Sequence, residues 1–495
     1  MMRSLFGAMA LTVLSVLPGI SAAETRCEQV LRQLSTQLVD ASCVESPDLT
    51  TTNPATTPAN NSLPGLPAFA FTPQTDRNVI APTAAKRPPI TKLVPGLQVQ
   101  ARFANDATGQ GRFLLRLPND WNGSLVVAGA SGTRSEFNGD FAWSDFVLQK
   151  GFAYASQNKG VLNLYFPAAG AADPLACRLN PASPLYVHFY DNDADQPFSR
   201  WREFMVRAAE VARHGVRARY GHSPRHTYAV GTSNGGYQVR RAIETAPHLF
   251  DGGVDWEGTF VDAHAPNLLT DLPPAVLNFP DYVASGFSAT STAAKNIRAA
   301  GYPPDLRAGA ASMWNSHWAS FWEVTQCQWQ KRLDPGFDTY ANEGTATYNY
   351  VGRLSKSDVA AQLTSFATTG RITRPLITVA GTMDALLPID RHARAYARLV
   401  KKHAGPEVAR DHEHGHSNHA SYRLYEVQNG NHLESLADTF TELELIQPHA
   451  HRAFDLLVRH LEQRTPLPPD QCIARGAAIA DAPSATGKCE HLLAP

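Results

Sequence analysis

The sequence predicts an α/β fold: a mostly parallel central sheet covered by helices on both faces, with a large inserted cap. Three observations carry this. From Leu97 onward, short apolar runs alternate with stretches whose apolar residues recur at helical spacing. One of those runs, HTYAV at His226–Val230, leads straight into a glycine-flanked serine and then into a helical pattern. The alternation is broken once, between two core strands, by a long stretch rich in aromatics and prolines. Strands alternating with helices give a parallel sheet because each crossover helix must pack on a face of the sheet.

The elements follow in order. Residues 1–23 read as an export signal: Arg3 is the positive start, Leu5 to Leu17 is the apolar run, and Ser21-Ala22-Ala23 supplies the small residues before a cut ahead of Glu24. The run is too short and interrupted for a membrane span, so a secreted or periplasmic chain is expected. Residues 24–96 form an N-terminal segment. Within it, Glu24 to Val44 predicts a short helix clipped by Cys27 and Cys43, and Ser46 to Pro82, rich in Thr, Pro and Asn, predicts an extended wrap. Residues 97–261 and 372–495 form the main domain. Leu97–Phe103 and Arg112–Leu117 alternate as a strand pair at the sheet edge. Ser124–Ala128 (SLVVA), Phe152–Ser156 (FAYAS), His226–Val230, Gly252–Trp256, Leu376–Ala380 (LITVA) and Tyr422–Val427 are buried strands. Trp201–Tyr220, Gly235–Thr245 and His449–Arg464 are amphipathic helices. The interruption, residues 262–371, is the cap.

Composition narrows the function. Lys+Arg number 44 and Asp+Glu 45, giving a formal net charge of -1. There is no basic stripe for nucleic acid and no polybasic amphipathic helix for a membrane surface. Oligomeric state is left open. The six cysteines, Cys27, Cys43, Cys177, Cys327, Cys472 and Cys489, show no metal-finger spacing. An even number in an exported chain reads as disulfides. Short-range closure favours Cys27 with Cys43 and Cys472 with Cys489, which leaves Cys177 with Cys327. No cofactor and no metal are expected. His412, His414, His416 and His419 cluster near Asp411 and Glu413, but no regular element fixes their geometry, so they read as a solvated loop.

The chemistry centres on Gly231-Thr232-Ser233-Asn234-Gly235, a G-x-S-x-G pattern between a strand and a helix. A serine on so sharp a turn carries its hydroxyl above the sheet edge, and flanking glycines let strand and helix approach. Ser233 is the candidate nucleophile. It needs a base and an acid, which in such a chain follow in the order Ser, acid, His. Strand LITVA ends in Gly381-Thr382-Met383-Asp384, which makes Asp384 the acid; Asp390 is the fallback and reads as a helix N-cap. The strand ending at Val427 leads to Gln428-Asn429-Gly430-Asn431-His432, which makes His432 the base. His449 and His451 come later, at the start of a helix, and read as surface residues. Two backbone donors must face the developing oxyanion. One is the amide of Asn234. The other comes from the loop after SLVVA, where Ser131 is favoured and Ala130 and Gly132 stay open. Substrate contacts are expected from Trp256 and Glu257 after a core strand, and from the cap residues Trp314 and Trp318, which share a helix face with Trp322 at four-residue spacing.

Three short runs, Ser131-Gly132-Thr133-Arg134, Gln157-Asn158-Lys159-Gly160 and Ser233-Asn234-Gly235-Gly236, resemble the D-(-)-3-hydroxybutyrate oligomer hydrolases, mainly across Ser124 to Glu257. Those are esterases that cut short polyester fragments. The stretch from Tyr220 to Gly258 is also similar to the tannase and feruloyl esterase family, secreted α/β-hydrolase-fold enzymes with a large cap between serine and acid. In that family cysteines precede the serine and follow the histidine; here those positions are Thr232 and Leu433. Both resemblances imply an α/β-hydrolase fold and hydrolysis of a small-molecule or oligomeric carboxylic ester through Ser233, Asp384 and His432. Hydroxyalkanoate oligomers are the first expectation and aromatic esters the alternative. A secreted serine peptidase, with Glu257 holding a substrate amine, and a non-catalytic relative are the competing classes.

Overall fold

Period-two burial builds the sheet. In the strand Ser124–Gly129 every residue is buried, yet the side chains divide: Leu125 and Val127 join one hydrophobic core, Val126 and Ala128 another. Two-sided burial of this kind demands helices on both faces. The computed structural model describes residues 24–57, 77, 81–132, 135–161, 164–165, 177–178, 186–187, 198–337, 348–403, 422–483 and 487–494. The expected signal at residues 1–23, the wrap from 58 to 76 and the histidine cluster His412–His419 lie outside these residues.

The strands are β1 Leu38–Ser46, β2 Gly96–Phe103, β3 Arg112–Pro118, β4 Ser124–Gly129, β5 Ala153–Gln157, β6 Leu164–Tyr165, β7 Cys177–Arg178, β8 Tyr186–Val187, β9 His226–Thr232, β10 Gly252–Trp256, β11 Leu376–Gly381, β12 Tyr422–Val427 and β13 Gln471–Ile473. Ten of them form one sheet in the order β1-β2-β3-β5-β4-β9-β10-β11-β12-β13, and β6, β8 and β7 form a small separate sheet. β1, β2, β3 and β5 pair antiparallel in sequence, and from β5 across to β13 every pairing is parallel. Helices Ser199–Tyr220 and Asn234–Thr245 cover one face through Phe204, Ala208, Val239 and Ile243. Helix Gln447–Gln463 covers the other through Ala450, Phe454 and Leu457.

The N-terminal segment departs from expectation. Only Arg26–Leu34 is helical, started by a capping box between Thr25 and Glu28. The rest becomes β1, with Cys43 opposite Val99, because the edge strand β2 still has an open hydrogen-bonding side. The disulfide Cys27–Cys43 therefore ties a helix to a strand. Cys472–Cys489 and Cys177–Cys327 are the other two pairs, the last joining β7 to helix Glu323–Leu333.

Between β10 and β11 the chain leaves the sheet and forms helices Leu268–Ala284, Thr292–Ala299, Met313–His317, Glu323–Leu333, Tyr350–Arg353 and Val359–Phe366. They share a core of their own that includes Phe279, Tyr282, Trp314, Trp322 and Trp329. The even helical face expected for Trp314, Trp318 and Trp322 is interrupted, because Trp318–Trp322 winds as a π-helix. Trp314 and Trp322 are fully buried with ring centroids 6.4 Å apart, and Trp318 is half-buried and stacked on Phe279 at 5.3 Å.

Candidate active site

Parallel strands deliver their following loops to one edge of the sheet. Here the loops after β4, β5, β9, β10, β11 and β12 bring Ser131, Lys159, Ser233, Glu257, Asp384 and His432 to that edge.

Ser233 sits at the turn between β9 and helix Asn234–Thr245 with φ 61 and ψ -123, a strained backbone for a residue with a Cβ. The turn is possible because its neighbours have no side chains. A Cβ on Gly231 would stand 2.3 Å from the Gly235 carbonyl oxygen, and one on Gly235 would stand 2.4 Å from that of Gly129. The Ser233 amide donates to the Trp256 carbonyl at 2.9 Å, which locks the turn to β10. The helix N-terminus lies at Asn234, whose Oδ1 accepts from Thr259 Oγ1 at 2.8 Å.

Asp384 and His432 meet. His432 Nδ1 is 2.8 Å from Asp384 Oδ2, while Asp384 Oδ1 accepts the amides of Leu386 and Leu387 at 2.7 and 2.6 Å. Burial raises the Asp384 pKa, but the His432 charge and hydrogen bond and these two amides outweigh it and hold the carboxyl below the ordinary value. The two loops are laced together. The Met383 amide donates to the Gly430 carbonyl at 2.7 Å, and Asn431 Nδ2 donates to the Met383 carbonyl at 2.6 Å. The C-terminal tail closes them from outside: Asn429 bonds Ala494 in both directions, at 2.9 and 2.7 Å, and Thr382 Oγ1 donates to the Leu492 carbonyl. Asp390 is exposed, lies ahead of helix Ala393–His403 and pairs with Arg394 at 3.2 Å; it neither caps the helix nor touches His432.

Glu257 is not open to the cap side as a simple lining residue. Its φ is 52, its Oε1 accepts the Gly381 amide at 2.8 Å, and its Oε2 lies 3.6 Å from His432 Nδ1 with no hydrogen-bond partner. Burial, together with the charge of Asp384, lifts its pKa well above the ordinary value, against the pull of the Gly381 amide. Glu257, Asp384 and His432 offer ligand atoms within 4.8 Å of one another, the one such cluster among the described residues. A metal there would have to take the place of the Asp384–His432 hydrogen bond.

The loop after β4 is held by residues that the sequence quoted as a motif without a role. The Ser131 amide donates to Asn138 Oδ1 at 3.0 Å and its hydroxyl to the Thr232 carbonyl at 3.0 Å. That amide is therefore occupied, and the alternatives Ala130 and Gly132 carry more weight as oxyanion donors. Lys159, buried and at φ 66, donates to the carbonyls of Ser131 and Gly132. Gln157 Nε2 donates to Gln238 Oε1 at 2.5 Å, and Gln238 Nε2 reaches the carbonyls of Ala130 at 2.8 Å and Asn234 at 3.1 Å. The Gln157-Asn158-Lys159-Gly160 run thus braces both the loop and the nucleophile helix.

Trp256 is buried in the sheet core against Trp143, and Trp314 in the cap core with Nε1 donating to the Pro303 carbonyl at 3.1 Å. Trp318 alone of the expected contact tryptophans keeps exposed surface. Trp322 Nε1 donates to the Ala385 carbonyl at 2.6 Å and so fastens this helical insertion to the loop that carries Asp384. His449 and His451 are buried rather than on the surface: His451 stacks on Phe146 at 3.8 Å and its Nε2 lies 2.6 Å from the Ala142 carbonyl.

A sequence model of the 3HB-oligomer hydrolase (3HBOH) family matches residues 338–488, the stretch that holds Asp384 and His432. The chain is 34% identical over 120 residues to the D-(-)-3-hydroxybutyrate oligomer hydrolase of Azoarcus sp. (strain BH72), a match covering 22% of this chain and 16% of that protein. It is 34% identical over 115 residues to the hydrolase of the same name from Cupriavidus metallidurans, covering 22% of this chain and 14% of that one. The chain thus spans a small part of these relatives' length. Among solved structures, feruloyl esterase B from Aspergillus oryzae aligns over 89% of this chain and 91% of its own, with a TM-score of 0.53 and 14% identity. That likeness gives the α/β-hydrolase fold.

Proposed function

We propose that this α/β-hydrolase-fold chain, which resembles 3HB-oligomer hydrolases over part of its length, is a carboxylic ester hydrolase that works through an acyl-enzyme on Ser233. The observation that carries the reading is the buried 2.8 Å contact between His432 Nδ1 and Asp384 Oδ2, on loops at the same sheet edge as the strained Ser233 turn. With Nδ1–H given to Asp384, His432 Nε2 is the bare nitrogen, free to take the Ser233 proton as Oγ attacks the ester carbonyl. The oxyanion faces the Asn234 amide and one amide of the Gly129–Gly132 turn. The oxyanion intermediate then collapses: the ester C–O bond breaks as His432 returns the proton to the leaving alcohol, the acyl group stays on Oγ, and water repeats the sequence to release the acid.

Short hydroxyalkanoate oligomers are the substrate class we favour. The similarity to 3HB-oligomer hydrolases supports it. All six cysteines pair with one another elsewhere, and Thr232 and Leu433 flank the serine and histidine, so the disulfide that marks the aromatic-ester family is missing. Glu257 counts against a peptidase, because a carboxyl with so high a pKa, packed beneath His432, is poorly suited to holding a substrate amine. Three disulfides support a chain that works in an oxidising compartment, and no helix among the described residues is long and apolar enough to cross a membrane. The test is Ser233→Ala assayed on para-nitrophenyl butyrate and on a 3-hydroxybutyrate trimer. Hydrolysis should fall about a thousandfold or more on both, with the melting temperature unchanged. Retained turnover would remove Ser233 from the chemistry.

A further inference from the structure

The cap helix Met313–His317 ends in a histidine that the mechanism above leaves idle. His317 is 0% exposed. Its Nδ1 lies 2.9 Å from the Met313 carbonyl oxygen, so Nδ1 carries the proton and donates it there. Nε2 is then a bare acceptor, buried and without a hydrogen-bond partner among the described residues. Burial holds the pKa down to about 4, so the ring stays neutral and does not relieve the vacancy by protonating. A stranded buried acceptor is destabilising, and it is tolerated where something donates to it in the working state.

The surroundings say where that donor would lie. Met313, on the same helix, sets its Sδ 3.4 Å from Asn431 Nδ2, the residue before His432. Trp322, further along the cap, donates to the carbonyl of Ala385, the residue after Asp384. Between these two tethers, the His317 ring feels the charges of both Asp384 and His432. His317 thus stands on a cap segment tethered to the loops of both Asp384 and His432.

We infer that His317 Nε2 accepts a hydrogen bond from a hydroxyl group of the bound ester, so that the cap selects hydroxylated substrates. This rests on the ester-hydrolase reading. The hydroxyl has two possible sources, the aliphatic hydroxyl of a hydroxyalkanoate unit or the phenol of an aromatic acyl group, and the recognition chemistry is the same.

The experiment measures kcat/KM on two matched pairs: para-nitrophenyl 3-hydroxybutyrate against para-nitrophenyl butyrate, and methyl para-hydroxycinnamate against methyl cinnamate. The wild type should prefer the hydroxylated member of one pair, which identifies the source. His317→Phe, which keeps the ring volume and loses the acceptor, should cut that preference by about tenfold or more. His317→Gln, whose Oε1 can stand close to the Nε2 position, should restore part of it. A wild-type preference unmoved by both variants, or no preference in either pair, overturns the inference and leaves the ester-hydrolase reading standing. A folded wild type that hydrolyses none of the four esters overturns both. Should His317→Phe fail to fold, product inhibition of the wild type decides: 3-hydroxybutyrate inhibiting no better than butyrate, and para-hydroxycinnamate no better than cinnamate, overturns the inference.

Discussion

His432 faces two carboxylates that burial and charge drive in opposite directions. The histidine and two amides push Asp384 toward its ionised form, and burial and Asp384 itself push Glu257, 3.6 Å from the same Nδ1, toward its protonated form. On the proposed ester-hydrolase reading Asp384 orients the ring, and removing the orienting acid from a Ser-His-Asp triad costs about ten-thousandfold in kcat. Here Asp384→Asn should retain about tenfold or more activity over Asp384→Asn/Glu257→Gln, and the difference should widen toward alkaline pH as Glu257 ionises. A kcat profile against pH measures it, and identical residual rates would leave Glu257 with no part in orienting the ring. Glu257 also shapes stability. Its folded-state pKa lies above its unfolded value, so the folded chain keeps a proton that the unfolded chain releases above about 4.5. Stability contributed by this group falls as pH rises from there toward the folded value, by about 1.4 kcal/mol per pH unit at most. Glu257→Gln lacks that slope, so its melting temperature should gain on the parent's as pH rises from 4.5 to neutrality; a constant gap would show Glu257 ionised in the folded chain. Asp384 and His432 were legible because each follows an apolar strand by a few residues. The packing of Glu257 beneath the ring was not, since it depends on β10, β11 and β12 being neighbours, and strand order is not written in any local pattern.

At the scale of elements, the strained turn at Ser233 is the feature most plainly encoded. A strand, a G-x-S-x-G pattern and an amphipathic helix leave little else for Gly231, Ser233 and Gly235 to do, and the close approaches at Gly129, Gly231 and Gly235 explain why no side chain is tolerated there. Gly231→Ala should lower stability by about 1–3 kcal/mol through overpacking and depress activity by shifting Ser233. Gly132→Ala, where a Cβ meets nothing within 4 Å and φ is not positive, should leave the melting temperature as it was. Thermal unfolding of the two variants side by side is the check, and equal losses would refute the packing argument. Elements that depend on distant partners were harder to read. β1 looked helical because its apolar residues are sparse and it is a strand only by virtue of pairing with β2. The tryptophan stripe of the cap was sound as a pattern, yet a π-helix at Trp318–Trp322 re-aims it, and the aromatic core turns Trp314 and Trp322 inward. His449 and His451 looked exposed because a helix start is usually wet; the helical turns Asp140–Ser144 and Asp145–Leu148, carrying Phe141, Ala142 and Phe146, cover this one.

For the whole molecule, the three disulfides act at different ranges. Cys27–Cys43 and Cys472–Cys489 close loops of 16 and 17 residues, and Cys177–Cys327 closes 150. On a chain-entropy account, losing the long bridge should cost about 2 kcal/mol more than losing Cys27–Cys43. Chemical denaturation of Cys177→Ser/Cys327→Ser against Cys27→Ser/Cys43→Ser tests this, and equal midpoint shifts would mean that the unfolded chain is not what the long bridge restrains. The pairing is the one that short-range closure favours, but spacing alone leaves fifteen connectivities open for six cysteines. The third bridge, Cys472–Cys489, pins the tail whose end is stitched to Thr382 and Asn429, one in the loop that carries Asp384 and one in the loop that carries His432. That tail behaves like a tamper seal. Cutting those stitches would slacken both loops at once and dull turnover while the sheet, and every spectroscopic signature of it, stayed whole.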